Sequence, residues 1–435
     1  MRNTTRKSEL LLIIGFLAVI AVVPIGQTCI ELARHERVQF TDIFRYQATA
    51  KNLRLFENTL AEKSWFQQKL RPETQRFLFA TLRDTGSKGV LGRDQWLFYR
   101  PDLRYLVEPD RNEADHCDSK WVQPAEARTH RESVEKAIVR FRDQLQERGI
   151  ALVVLPVPGK PSVYPDQVSR REEGRQGRFR SPTRQLIEAL ERQNVPCVDL
   201  FDTFSAARSS SGKGQTNPPL YLAQDTHWTP QGAQLAARTV AARLRGLNLA
   251  PSAGKEFRVQ KVAVRRWGDV LGMTQIPGLR GVFPWEEVEC EQVLGSVHGP
   301  LLPTPSDRPG TYRYPAQKAS VLILGDSFCR IYQYAEPQSL GELALATADG
   351  RKEDPGAKRL LPGSSGLISH LALALRSPVD AIVSDGGAST DVRRRLSTNP
   401  EILEGKQVVV WEFVERDIAL GSQGWEDVPL PSKLD

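Results

Sequence analysis

The sequence predicts an α/β fold that is built on a mostly parallel sheet. Five short apolar runs lie between residues 151 and 411, and they lack the polar alternation of strands that face water on one side. Segments with a helical hydrophobic period separate most of these runs, which is the arrangement that produces parallel sheets. A Gly-Asp-Ser turn follows the third run, at the sheet edge where open α/β folds gather their chemistry.

Local patterns assign the individual elements in chain order. The first predicted helix ends at Gly149, and its apolar face is formed by Val134, Ile138, Phe141 and Leu145. Further helices are predicted at residues 183–193, 230–244 and 367–375, with Thr229 as the N-cap of the 230–244 helix. Strands are predicted at residues 96–99, 151–155, 196–200, 321–324, 381–383 and 407–411.

The amino terminus predicts a membrane anchor. Residues 10–26 carry no charge, and Arg2, Arg6 and Lys7 precede them. Because no small-residue cleavage site follows this run, an uncleaved single-pass anchor is favoured over a signal peptide. The basic residues at the amino end favour a short cytoplasmic tail and a body outside the cytoplasm, although three arginines on the other side balance the count.

The remaining chain divides into regions of different pattern. Residues 31–87 are amphipathic and mainly helical, and residues 250–318 contain many turns and no clear α/β unit. We therefore expect a tail and anchor at 1–30, a helical linker at 31–87, one main domain at 88–420 with an insertion at about 250–318, and a carboxyl-terminal tail at 421–435.

Composition limits the classes of partner. The net charge of +7 and the pI near 9.1 suit an anionic polymer or a membrane surface. No basic stripe interleaved with aromatic residues is present, so nucleic-acid binding is not expected. The five cysteines lack metal-ligand spacing, and we expect neither a metal nor a cofactor. We expect Cys197 and Cys329 to be core residues, and one disulfide stays an open alternative.

Two motifs that lie 100 residues apart contain the parts of a Ser-His-Asp site. Ser327, in Gly325-Asp326-Ser327, is the candidate nucleophile; His227, two residues after Asp225, is its candidate base, and Asp225 would orient the imidazole. In an extended segment, residues i and i+2 point to the same side, which would bring Asp225 to His227. The alternative interpretations are a tight turn at Asp326 and a helix-capping loop with a buried His227.

These motifs, in this order, resemble the alginate O-acetyltransferase AlgJ/AlgX family, whose members are SGNH-hydrolase-like enzymes of the periplasm. Supporting similarities lie at residues 96–99, 156–160, 164–165, 221–222 and 410–416, and the resemblance spans about 88–418. It implies an SGNH-like three-layer sandwich, with Ser327, His227 and Asp225 in the roles given above. The Gly and Asn that complete the oxyanion hole of ordinary SGNH enzymes cannot be assigned in the sequence. The Ser327 N–H, at the predicted strand-to-helix turn, is the expected oxyanion donor.

The resemblance also implies partners and a location. It implies a polysaccharide acceptor, a multi-pass membrane O-acyltransferase that supplies the acetyl group, and an inner-membrane protein with its catalytic domain in the periplasm. Because the chain ends about 20 residues after the last predicted strand, we expect no carbohydrate-binding module there, as in the AlgJ type. Two alternatives stay open: a carbohydrate esterase with the same residues, and a catalytically silent polysaccharide-binding scaffold.

Several residues are candidates for binding the glycan. They are the aromatic residues Trp228, Tyr334 and Trp411, and the basic residues Arg175, Arg178 and Arg330. Aromatic faces stack on sugar rings, and arginines pair with carboxylates. The alternatives are a core position for Trp228 and a solvated surface loop for the arginine-rich stretch 169–184.

Overall fold

The structure, a computed structural model, describes residues 2–45, 47, 49, 52–53, 56–57, 59–60, 64–107, 124–173, 181–209, 218–276, 278–295, 304–305, 311–314, 319–333, 344–345, 363–419 and 425–431. The chain divides into two compact units. One contains Met1–Thr85 and Gln275–Leu279, and the other contains Gly86–Thr274 and Arg280–Asp435.

The elements are numbered in chain order. The strands are β1 Gly89–Leu91, β2 Leu97–Tyr99, β3 Ala151–Val157, β4 Arg258–Arg266, β5 Glu286–Leu294, β6 Thr304–Pro305, β7 Thr311–Tyr314, β8 Val321–Gly325, β9 Ala344–Leu345, β10 Val379–Ser384 and β11 Val408–Val414. The α-helices are α1 Arg2–Ala33, α2 Trp65–Leu82, α3 Arg100–Val107, α4 Pro124–Gln146, α5 Lys160–Val163, α6 Pro165–Val168, α7 Pro182–Arg192, α8 Leu200–Ser209, α9 Pro230–Gly246, α10 Asp269–Thr274, α11 Ser327–Arg330, α12 Leu367–Leu375 and α13 Asp391–Thr398. Short 3₁₀ segments lie at Gln39–Phe44, Arg170–Glu172, Leu279–Gly281, Pro400–Leu403 and Glu415–Ile418.

The main sheet of the second unit is largely parallel, as the sequence predicts. Its strand order, within the described residues, is β3-β11-β8-β10-β7-β6. The first four strands run parallel, whereas β7 pairs antiparallel with β10 and β6 pairs antiparallel with β7. Strand β8, which leads to Ser327, therefore lies inside the sheet between two parallel neighbours, and its carboxyl end faces the same edge as theirs.

Alternate residues of the central strands pack on opposite faces of the sheet. Val321 and Ile323 of β8 join one core cluster with residues of α9 and α12. Leu322 and Leu324 join a second cluster with residues of α4, α7 and α13. Helices therefore cover both faces, which explains why the strands are apolar without alternation. The result is the three-layer α/β arrangement that the resemblance implies.

The prediction of a strand at residues 196–200 is wrong. In this segment only Cys197 forms a bridge, a parallel one with Val154 of β3. The Asp199 carboxylate accepts a hydrogen bond from the Phe201 N–H at 2.7 Å, and helix α8 begins at Leu200. The chain therefore turns into a helix where its apolar residues predicted continued pairing.

The predicted insertion contains more regular structure than its sequence indicates. Strands β4 and β5 form a long antiparallel pair, and β9 adds to β4 as a third strand. Strands β6 and β7 extend the main sheet. Because β7 belongs to the central sheet, residues 250–318 are part of the domain's architecture and not only an excursion from it.

The carboxyl-terminal segment also differs from the expected tail. Within residues 425–431, Trp425 is 2 % exposed and packs against Trp411 and Phe413, with ring centroids 5.6 and 5.1 Å away. Its indole Nε1–H donates to the Asp417 carbonyl at 2.9 Å. This segment therefore completes one of the two core clusters.

In the first unit, helix α1 includes the apolar run 10–26 and continues to Ala33. In the part of the chain that the structure describes, no helix combines the length and the apolar character needed to cross a bilayer. The membrane anchor stays a prediction.

Four cysteines lie within the described residues, and none of them forms a disulfide there. They are Cys29, Cys197, Cys290 and Cys329. Cys197 and Cys329 are buried, as expected, and burial raises the pKa of the Cys197 thiol to about 12. Cys117 lies outside the described residues.

Candidate active site

Ser327 lies directly beyond the carboxyl end of β8. Asp326 caps the short helix α11, because its carboxylate accepts hydrogen bonds from the Phe328 N–H at 2.8 Å and the Val414 N–H at 3.1 Å. Ser327 is partly exposed, while Asp326 and Phe328 on either side are buried. The turn interpretation is therefore correct for Asp326, and this turn presents the Ser327 hydroxyl.

Glu412 supports the same turn from β11. It is fully buried, and its Oε2 accepts hydrogen bonds from the Asp326 N–H at 2.8 Å and the Cys329 thiol at 3.2 Å. Burial and the neighbouring Asp326 raise the pKa of Glu412 well above its usual range. A Cβ at Gly325 would collide with Cys329 Sγ and the Glu412 carboxyl group, so only glycine fits at that position.

The Asp225–His227 segment is a bend and not the extended segment that we expected. An antiparallel bridge between Tyr221 and Trp228 closes the loop. Inside it, Asp225 Oδ1 accepts a hydrogen bond from the His227 N–H at 3.0 Å, in the manner of an Asx turn. The turn still brings the carboxylate of residue i to the ring of residue i+2. Thr229 caps α9, as the sequence predicts.

The structure brings Ser327, His227 and Asp225 together in one hydrogen-bonded row. His227 Nδ1 lies 2.6 Å from Asp225 Oδ1, and His227 Nε2 lies 2.8 Å from Ser327 Oγ. An ionised Asp225 accepts the Nδ1 proton, so a neutral imidazole presents the bare Nε2 to the Ser327 hydroxyl.

Electrostatics keep Asp225 ionised and make His227 more basic. Burial raises the pKa of Asp225, but Arg266 and His227 outweigh burial and hold it well below its usual range. Burial lowers the pKa of His227, but Asp225 outweighs burial and the net shift is upward. His227 therefore binds a proton more readily than an ordinary histidine.

Arg266 and Asp269 complete the surroundings of Asp225, and neither was predicted as a site residue. Arg266 Nη2 donates to Asp225 Oδ2 at 2.7 Å, and the Asp269 N–H donates to the same oxygen at 3.1 Å. Both residues come from the predicted insertion, at the end of β4 and the start of α10. A Cβ at Gly268, between them, would collide with the Gln224 backbone. The sequence feature that could have indicated this part of the site is the pair Gly268-Asp269 after a strand.

Asp269 also contacts the other members of the loop. Its carboxylate accepts from the Thr226 N–H and the Thr226 hydroxyl, each at 2.7 Å, and its Oδ2 lies 3.5 Å from His227 Nδ1. Burial and the negative charge of Asp225 raise the pKa of Asp269 to about 6. Two carboxylates therefore face the same imidazole nitrogen.

Lys160 and Glu286 hold the backbone of the loop, and neither was predicted as a site residue. The Lys160 ammonium is fully buried and donates to the carbonyls of Leu222 at 3.0 Å, Ala223 at 3.0 Å and Asp225 at 2.5 Å. The Glu286 carboxylate accepts from the Ala223 and Gln224 N–H groups. Burial lowers the pKa of Lys160 to about 8. These contacts fix the loop that carries Asp225.

Asp225, His227 and Asp269 bring ligand-type atoms within 4.8 Å of one another, a spacing that a metal ion could use. However, Arg266 already supplies a positive charge to Asp225, and His227 directs its nitrogens to Asp225 and Ser327. The arrangement is better suited to moving a proton between Ser327 and His227 than to holding a cation.

The predicted glycan-binding residues have different outcomes. Trp228 and Trp411 are both 0 % exposed, so the prediction that they stack on a sugar is wrong: each packs in a core cluster. Trp228 instead packs edge-on against Phe328, next to the turn of Ser327. Arg330 Nε pairs with Asp385 at 2.6 Å. Tyr334, Arg175 and Arg178 lie outside the described residues.

Comparison with known proteins connects this geometry to a family. The family model described as "SGNH hydrolase-like domain, acetyltransferase AlgX" matches residues 90–347, which is more than half of the chain. A probable alginate O-acetylase AlgJ of Pseudomonas syringae pv. tomato is 25 % identical over 333 residues, which are 75 % of this chain and 68 % of that protein. The AlgJ protein of Pseudomonas putida is 31 % identical over 153 residues, 35 % of this chain and 32 % of that protein.

A solved structure of similar fold is the O-acetyltransferase domain of Pseudomonas putida AlgJ. The two structures superpose with a TM-score of 0.50 at 21 % identity, over 76 % of this chain and 92 % of that domain. At this identity the similarity establishes the fold, and it agrees with the largely parallel sheet described above.

Proposed function

The chain belongs to the AlgX family of SGNH hydrolase-like acetyltransferases, and from this premise we propose that it transfers acetyl groups to polysaccharide hydroxyls through Ser327, His227 and Asp225. The observation that carries the proposal is the row of hydrogen bonds from Ser327 Oγ to His227 Nε2 and from Nδ1 to Asp225, at 2.8 and 2.6 Å. A buried carboxylate, an imidazole and a partly exposed hydroxyl in this order are the parts of a serine acyl-transfer site.

The first half-reaction forms an acetyl-enzyme. As Ser327 Oγ attacks the carbonyl carbon of the acetyl donor, its proton passes to His227 Nε2. The bond between the acetyl group and its carrier then breaks, and His227 returns the proton to the departing carrier. Asp225 keeps the imidazole in the required tautomer and stabilises the imidazolium. Arg266 keeps Asp225 ionised throughout.

The oxyanion of the tetrahedral intermediate needs a donor near Ser327. The Ser327 N–H lies at the first position of α11, and no acceptor for it occurs within the described residues. It is therefore available to the oxyanion, as the sequence led us to expect.

The second half-reaction gives the ester product. A sugar hydroxyl loses its proton to His227 and attacks the acetyl carbon, and the acyl bond to Ser327 breaks as Ser327 Oγ recovers the proton. We propose alginate as the acceptor, because the curated relatives are named as probable alginate O-acetylases. We also propose that a multi-pass membrane O-acyltransferase delivers the acetyl group.

Transfer and hydrolysis differ in the acceptor and share the same residues, so they are separated by experiment. With an acetyl donor and alginate, we expect donor consumption to rise and the glycan to become acetylated, while the rate with water alone stays slow. Mass spectrometry of the glycan and release of acetate measure the two outcomes. Neutralising Arg175, Arg178 and Arg180 should weaken the effect of the glycan and its salt dependence, and leave the slow hydrolysis unchanged.

Two results would replace this proposal. Fast acetate release without glycan, together with loss of acetyl groups from acetylated alginate, would identify an esterase. Alginate binding without labelling of Ser327 by a serine-reactive probe would identify a silent scaffold.

We propose that the chain is anchored in the inner membrane through residues 10–26, with its catalytic domain in the periplasm. The uncharged run and the basic residues Arg2, Arg6 and Lys7 support this topology. Protease added to spheroplasts should digest the chain beyond residue 31, and the intact protein should stay with membranes after a carbonate wash. If protease digests the chain beyond residue 31 only after the membrane is broken, the orientation is the opposite of the one proposed. If carbonate releases the intact protein, residues 10–26 are not a membrane anchor.

A further inference from the structure

Trp267 and Trp285 form a stacked aromatic pair that the mechanism above does not use. Their ring centroids lie 3.5 Å apart and their planes differ by 17°. The Trp267 indole Nε1–H donates to the Phe283 carbonyl at 3.4 Å, which helps to orient this ring. The two indoles therefore form one ordered double layer.

One member of this pair is exposed, and the other, Trp267, is partly buried beneath it. Trp285 is 43 % exposed, and Val282 in the same loop is 52 % exposed. In contrast, Trp228, Trp411 and Trp425 are each at most 2 % exposed. An ordered aromatic surface that stays in contact with water is a common mark of a binding site, because exposing it costs free energy that folding alone does not recover.

Each tryptophan is adjacent in sequence to a residue of the candidate active site: Trp267 directly follows β4, and Trp285 directly precedes β5. Trp267 stands between Arg266 and Asp269, which both donate to the Asp225 carboxylate. Trp285 precedes Glu286, which holds the backbone of residues 223 and 224, and the Gln224 amide donates to the Pro284 carbonyl at 2.6 Å. Trp267 directly follows Arg266, which is connected to Ser327 Oγ through Asp225 and His227 by hydrogen bonds of 2.7, 2.6 and 2.8 Å.

Charged residues on the strands next to the pair form cross-strand ion pairs. On the neighbouring strands β4 and β5, Arg265 Nε pairs with Glu287 at 3.3 Å and Lys261 Nζ pairs with Glu289 at 2.7 Å. The charges of these four residues are therefore paired with one another, and the two indoles themselves offer an aromatic face. Its preferred ligand is a ring with polarised C–H groups on one side, which pack on the negative face of an indole.

We propose that the double layer of Trp267 and Trp285 is a subsite that binds a pyranose ring of the acceptor polysaccharide a few units from the acetylated hydroxyl. This inference rests on the proposed function for the identity of the glycan. Stacking, and not ion pairing, provides the affinity, so the contribution of Trp285 is insensitive to salt.

The test measures binding of a short alginate oligosaccharide to the full chain by calorimetry, without an acetyl donor. Trp285→Ala should weaken binding by about tenfold, as expected for loss of one aromatic contact. Trp285→Phe should retain most of the affinity and Trp285→Leu should lose it, because leucine keeps apolar bulk without a π face. The control is Val259→Ala on β4. Val259 is 45 % exposed, so shortening its side chain should leave binding unchanged.

The outcomes separate this inference from the proposed function. Wild-type affinity in all three Trp285 variants overturns the subsite, whether or not acetyl transfer occurs, and leaves contact with a protein as the use of the pair. Equal affinity in Trp285→Leu and wild type also overturns it. Weakened binding that disappears at high salt would assign the effect to charge and overturn it as well. Selective loss in the alanine and leucine variants supports the subsite even if no glycan becomes acetylated.

Discussion

Ser327→Ala should lower acetyl transfer by roughly 10⁴- to 10⁶-fold, the range expected when the nucleophile of such a site is removed. The reason is that no covalent acetyl-enzyme forms without Ser327 Oγ, which lies 2.8 Å from the base. The fold should stay intact, because the turn is held by Asp326 and Glu412 through backbone N–H groups and not by the serine hydroxyl. The measurement is transfer from a soluble acetyl ester to alginate, with circular dichroism as the check on folding.

A second serine provides the matched control. Ser209 is exposed at the end of α8, and its hydroxyl donates to the Ser205 carbonyl of the same helix. Ser209→Ala should therefore transfer acetyl groups at the wild-type rate. Turnover that persists in Ser327→Ala would exclude Ser327 as the nucleophile and leave His227 as a base that activates water or sugar directly.

His227→Ala should reduce transfer nearly as much as Ser327→Ala, and it should also remove the acid limb of the pH profile. Only neutral imidazole accepts the Ser327 proton, so kcat/KM falls as the pH drops through the pKa of His227. Burial lowers this pKa, but the Asp225 carboxylate outweighs burial, so the limb should lie above 6.5, the ordinary value for histidine. In His227→Ala the residual rate should be flat over the same range.

Asp225→Asn tests the direction of this shift. Without the carboxylate charge the imidazolium is less stable, so the acid limb should move to lower pH, while the rate falls by about 10³- to 10⁴-fold because the tautomer is no longer held. The measurement is the kcat/KM profile between acid and neutral pH. A limb that keeps its position in this variant would contradict the assignment of the limb to an imidazole that Asp225 stabilises.

The candidate site was predicted from the sequence only where the information is local. Ser327 follows an apolar run, and Asp225 and His227 lie two residues apart, so short motifs were sufficient to find them. The residues that donate hydrogen bonds to the Asp225 carboxylate were not found in this way. Arg266 lies 41 residues from Asp225 along the chain, and its contact depends on how β4 is placed beside the loop. Lys160 contacts the same loop from 62 to 65 residues away.

The fold shows the same division between local and distant information. Strands β3, β8, β10 and β11 were predicted because burial on both faces leaves a continuous apolar run. The segment at 196–200 is interrupted by Asp199: it pairs with β3 only at Cys197, and the Asp199 carboxylate accepts from the Phe201 N–H at the start of α8. Strands β4 and β5 were missed because their outward residues are charged, and those charges are satisfied by cross-strand pairs that only the fold creates.

By itself, the sequence determined the α/β class, the position of the serine turn and the neighbouring Asp-x-His, since each depends on residues close together in the chain. The tertiary structure alone decided which polar groups surround Asp225, and that Trp228 and Trp411 lie in the core while Trp267 and Trp285 are stacked at the surface. The physical reason is that the burial of a tryptophan and the protonation of a carboxylate depend on the groups that packing brings near them, and those groups come from distant parts of the chain.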